Sequence, residues 1–171
     1  LDTEEINPSP SVNETGAVVT AAAPGNASLA IIYFWGDEGG TTIVDDFAFG
    51  LGDSNNNGEL LNNGDFSGQL TGWNIFDVDG GDSELINFDG NGDYGVSLSG
   101  SLLYRSLPIT GGESFQLTAN YRNTNGNPGM AFGIEFLDAN GEIIEGDEIA
   151  PDPVNDWAGL NVESSAPSDA V

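Results

Sequence analysis

The chain contains no cysteine, no histidine and no lysine. Without cysteine there are no disulfides, no thiolate metal sites and no thiol nucleophile. Without histidine there is no ordinary Ser-His triad and no imidazole-ligated metal. The only side-chain cations are Arg105 and Arg122, set against 28 acidic residues for a formal net charge of -26. Small soluble domains usually carry roughly 2–8 charges of either sign. A surface this negative repels phosphate backbones, so nucleic acid is excluded as a partner, and it is repelled by anionic membranes too. No stretch approaches the ~20 apolar residues of a spanning helix, so no membrane insertion is expected. With so many acids, paired carboxylates for glycoside hydrolysis arise without any cleft signature, and the chain reads as a non-enzyme.

What remains is too apolar for an acidic tail: 38% of the 171 residues are hydrophobic, with nine Phe, four Tyr and three Trp to build a core. The charge has two readings, adaptation to salt or loading with calcium, because either relieves self-repulsion. Asn13-Glu14-Thr15 and Asn26-Ala27-Ser28 fit the N-glycosylation pattern.

Twenty-five glycines, clustered with Asn and Asp, punctuate short apolar runs, and no convincing 3.6-residue period occurs. This predicts an all-β fold, a jelly-roll β-sandwich of antiparallel strands. Ala27 to Gly36, ASLAIIYFWG, reads as a buried strand. Thr41 to Gly50, TTIVDDFAFG, reads as its hairpin partner across Asp37 to Gly40. In Ser114 to Thr124, Phe115, Leu117, Ala119 and Tyr121 alternate with Gln116, Thr118, Asn120 and Arg122, the first set inward. Met130, Phe132, Ile134 and Phe136 alternate likewise. Asn140-Gly141 predicts a tight turn between two strands, and Tyr94 to Ile109 supplies one or two more.

The sequence also repeats itself. Shifted by 143 positions without a gap, residues 1–28 fall on residues 144–171 with nine identities, among them Pro8 on Pro151, Pro10 on Pro153, Gly16 on Gly159, Val19 on Val162 and Ala23-Pro24 on Ala166-Pro167. Such self-similarity signals a repeated folding unit.

Four stretches, in order, carry a family resemblance. NNGDFSGQLTGW (62–73), LPITGGESFQLTANYRN (107–123), DWAGLNVESSAPSDA (156–170) and APGNASLAIIYFWGDEGGTTIVDDFAFG (23–50) resemble parts of the jelly-roll carbohydrate-binding modules appended to xylanases and cellulases. The first looks like their opening turn, the last like their closing pair of strands. The chain thus looks like a tandem array of such modules cut out of phase. Residues 1–50 resemble the closing strands of one module, 51–57 a linker, and 58–171 a module lacking its last two strands. The resemblance implies that an early pair of strands completes the later sheet, within one chain or between chains. Ile31, Ile32, Phe34, Ile43, Val44 and Phe47 are the apolar residues expected to make that assembly.

Calcium is the expected ligand. Asp53, Asn55 and Asn57 match the first half of a D-x-N-x-N-G loop, and Asp89, Asn91 and Asp93 share the 1-3-5 oxygen spacing, both without the closing acid. Asp77, Asp79 and Asp82 form a third acidic turn. The resemblance implies a structural calcium beside the opening turn and the closing strand, at Asp65 and Asp46. It also implies glycan binding, for which Gln116, Asn120 and Arg122 on one strand, with Glu135 and Tyr104 on neighbours, offer a polar face over the small residues Ala131 and Gly133. Trp73, Trp157 and Trp35 are assigned to the core.

Two functions follow as expectations. One is a non-catalytic repeat of an extracellular or cell-surface fibre or adhesin, calcium-stabilised and joined head to tail to copies of itself by strand complementation. The other is a polysaccharide-binding module of a secreted multidomain protein.

Overall fold

A computed structural model describes residues 19–52, 59–88, 92–126 and 128–161. Among them there is no helix. Nine antiparallel strands run as β1 (Val19–Ala22), β2 (Leu29–Gly36), β3 (Gly40–Leu51), β4 (Asn74–Asn87), β5 (Tyr94–Pro108), β6 (Ser114–Gly126), β7 (Met130–Leu137), β8 (Ile143–Ile149) and β9 (Ala158–Asn161). They form one curled sheet in the order β1-β6-β3-β5-β2-β7-β8, with β4 beside β5 and β9 beside β6.

β5 closes the curl because it is long enough to serve two neighbours. Val96–Leu98 pair with β3, and Ser101–Pro108 pair with β2. The β6–β3 layer therefore faces the β2–β7 layer. Rings meet between them: Phe34 with Tyr121, Phe47 with Phe132, and Phe115 with Phe136, at centroid separations of 6.0–6.2 Å. The period-2 pattern supplies this core. Ala30, Ile32 and Phe34 on β2, Phe115, Leu117, Ala119 and Tyr121 on β6, and Met130, Phe132, Ile134 and Phe136 on β7 are all buried.

The expected hairpin between β2 and β3 does not form. β2 pairs with β5 and β7, whereas β3 pairs with β5 and β6. The intervening turn is an arch from one layer to the other. Gly39 takes φ 114°, and a Cβ on Gly40 would lie 2.4 Å from both the Asn125 carbonyl and the Pro128 ring. The two strands instead sit inside the sheet made by the later part of the chain. Ile32, Phe34, Val44 and Phe47 reach the common core. Ile43 is buried on the opposite face of β3, and Ile31 is half-buried on the outer face of β2.

Two other expectations change. Asp77, Asp79 and Asp82 do not make a turn. They lie within β4, where the pairing with β5 slips between Asp77 and Asp82 around Gly80, at φ 89°. Leu51, expected to open a linker, ends β3 opposite Phe115. At the β7–β8 turn only Gly141 has positive φ (82°), and the Asp138 carboxylate accepts from the Asn140 and Glu142 amides.

Candidate functional site

Two surfaces gather the candidate residues, one on each layer. The first is the outer face of β4, β5, β2 and β7. Because β2 alternates, burying Phe34 turns Trp35, Tyr33 and Ile31 outward. Register then aligns three rows across the strands. Phe76, Leu102, Trp35 and Ala131 form one. Asn74, Tyr104, Tyr33, Gly133 and Glu148 form the next. Ser106, Ile31, Glu135 and Gly146 form the third. Trp35, Tyr33 and Tyr104 are half-buried, and Phe76 is 58% exposed.

Trp35 thus belongs to a surface rather than to the core. A strand that is apolar throughout shows no period by which to assign its outer side. Gly133 leaves no empty groove either, because Tyr33 lies over it. A Cβ there would be 2.8 Å from the Tyr33 hydroxyl. That hydroxyl donates to Glu148 Oε2 at 2.7 Å. Burial, then the Glu148 bond and the charges of Glu148 and Glu135, push the phenol above its ordinary pKa.

Of the five residues assigned to glycan binding, Tyr104 and Glu135 lie on this face. Gln116, Asn120 and Arg122 are on β6 in the opposite layer, because β2, not β6, separates β5 from β7. Arg105 faces away from Tyr104, on the Leu103 and Leu107 side. Its guanidinium donates to the Asn62 carbonyl and to Asn62 Oδ1, each at 2.6 Å, and so ties down the opening turn.

The second surface is the outer face of β3 and β6. Arg122 stacks on Trp157 and Phe88, with Cζ 5.0 Å and 5.9 Å from the ring centroids. Trp157 therefore packs beneath a cation outside the main core, while Trp73 is buried with Phe47 and Phe66. Beside this stack the strand bulges. Asp46 takes φ 51°, and the pairing of β3 with β6 slips between Asp45 and Ala48. The Phe47 amide, freed from β6, donates to the Gly64 carbonyl at 3.0 Å. The opening turn is so close that a Cβ on Gly64 would overlap the Phe47 carbonyl.

The bulge buries Asp45, which is 7% exposed. Its pKa is raised to about 8, first by burial and then by the charges of Asp46, Asp93 and Asp65, against a lowering hydrogen bond from the Asp46 amide. Asp46 accepts from the Asn120 amide at 3.0 Å, and Asp65 accepts from the amide and hydroxyl of Ser67. The charges of Asp46, Asp93 and Asp65 all act on the buried Asp45 carboxyl. Nothing but tertiary burial distinguishes Asp45 from its neighbour. Among the described residues no three carboxylates converge as a metal cage. Asp53, Asn55, Asn57, Asp89 and Asn91 lie outside the described residues.

No family model, no curated protein and no solved structure matches this chain. Among the described residues no helix is long and apolar enough to cross a membrane.

Proposed function

We propose that this protein is a non-catalytic, extracellular polysaccharide-binding module, related in fold and role to the jelly-roll modules its sequence resembles. The observation that carries this is the outer face of β4, β5, β2 and β7. A row of aromatic and apolar side chains, Phe76, Leu102 and Trp35, lies beside a second row with Asn74, Tyr104, Tyr33 and Glu148. Five strands at about 4.8 Å spacing make the second row roughly 19 Å long, an extended strip that suits a chain molecule. Aromatic rings pack against the C–H faces of pyranoses, and the carboxylates and amide catch hydroxyls. The acidic rim favours neutral over anionic glycans.

Affinity electrophoresis against neutral and uronic-acid polysaccharides tests this. Retention by a neutral glycan that is lost in Trp35→Ala and Tyr104→Ala, with melting unchanged, supports it. Equal mobility of the wild-type protein in every gel defeats it.

Calcium belongs to the same proposal, at the Asp45, Asp46 and Asp65 corner. Support comes from a buried carboxylate whose ionisation is opposed by three others, which a divalent cation would reverse. Its test is the thermal midpoint with calcium and with chelator.

A second reading, a surface-fibre repeat joined by strand complementation, is favoured by the position of β2 and β3 among strands from the later part of the chain. Electron microscopy at high concentration separates the two, since that reading requires filaments.

A further inference from the structure

β6 gives one edge to β3, and its other edge is shared. Residues 158–161 pair with Tyr121 back to Thr118, and residues 19–22 pair with Leu117 back to Ser114. Asn161 lies opposite Thr118 and Val19 opposite Leu117, so the two short strands line up end to end without a missing position.

Their registers coincide with the sequence repeat. If β9 continued by four residues, Val162 would fall opposite Leu117, Glu163 opposite Gln116, Ser164 opposite Phe115 and Ser165 opposite Ser114. These are the positions held by Val19, Thr20, Ala21 and Ala22. The shift that superposes Val19 on Val162 is 143, the period of the repeat. Val19 lies opposite buried Leu117 and Ala21 opposite buried Phe115, and the same register would bring Val162 and Ser164 to those two positions. In the sequence both segments are followed by Ala-Pro, and a proline cannot donate to a ladder. The slot thus spans eight residues of β6, Ser114 to Tyr121, and the sequence repeat aligns 15–22 with 158–165 in the register of that slot.

We propose that this edge of β6 is an exchangeable strand-binding site, for which residues 162–165 of the same chain compete with β1. In the alternative state, residues 158–165 fill the slot as one strand and β1 is released. Register permits this because a strand pairs by main-chain hydrogen bonds that either segment supplies. The continuous strand also closes a smaller loop, since β9 already holds the incoming segment in place. The proposal does not depend on the saccharide reading.

The absence of native cysteine makes the test clean. Opposed positions of an antiparallel pair lie within disulfide reach. The double variant Thr20→Cys/Gln116→Cys reports β1 in the slot, and Gln116→Cys/Glu163→Cys reports its competitor. Under mild oxidation of dilute protein, both are expected to yield intrachain disulfides, resolved by peptide mapping. Adding Val19→Pro, which removes a ladder donor, is expected to raise the yield of the competitor's disulfide severalfold. A first variant that oxidises completely, beside a second that forms no intrachain bond, overturns the proposal. So does a yield in the second variant that is indifferent to Val19→Pro, or a product that is wholly an interchain dimer.

Discussion

The hydroxyl of Tyr33 reaches Glu148 across Gly133, over a position where any side chain would collide with the ring. Three strands are coupled by that one bond: β2 supplies the donor, β8 the acceptor and β7 the vacant space. Gly133→Ala is expected to lower stability by about 1–3 kcal/mol, since the added methyl meets the Asp147 carbonyl as well as the phenol. Tyr33→Phe, which keeps the ring, should cost only about 0.5–1.5 kcal/mol. Urea denaturation of the two variants checks both values. Equal losses would show that the bond, not the ring's place, is what matters.

Asp45 makes stability depend on pH in an unusual direction. Its carboxyl titrates near 8 when folded and near 4 when unfolded. Between those values the folded chain keeps a proton that the unfolded chain has released. The contribution is full below about pH 4 and is lost as pH rises through about 8. Asp45→Asn should therefore gain on the wild type across that window, by at least about 1.4 kcal/mol, the equivalent of one pKa unit. Denaturation midpoints at pH 5 and pH 8.5 measure it.

Calcium should erase that slope. A cation at the corner favours the ionised carboxylate, so the melting midpoint at pH 8.5 should rise by several degrees with millimolar calcium and fall back with chelator. Asp45→Asn should blunt the response. A midpoint indifferent to calcium in the wild-type protein would remove the ion from the proposal.

The Arg122 guanidinium lies against both Trp157 and Phe88, whose rings meet edge to face, and its planar fork matters more than its charge. Arg122→Ala should cost about 0.5–2 kcal/mol, and Arg122→Lys should recover only part of that. Full recovery by lysine would assign the role to charge alone. Denaturation, with tryptophan emission as the readout, distinguishes the two.

The sequence by itself determined the all-β class, the inward rows of β6 and β7, and the repeat whose period reappears as a strand register. These are local properties, fixed by side-chain alternation, turn residues and self-similarity. Tertiary structure decided the partners. TTIVDDFAFG reads as a hairpin mate of IIYFW, yet the arch at Gly39 and Gly40 sends the two to opposite layers, because each buries its inner face against the other's sheet. The same packing turned Trp35 to the surface, separated Tyr104 from Arg122, and buried Asp45 rather than Asp46. Neither the run of apolar residues nor the paired aspartates carries a sign of which side is in, since burial belongs to the strand opposite and not to the residue.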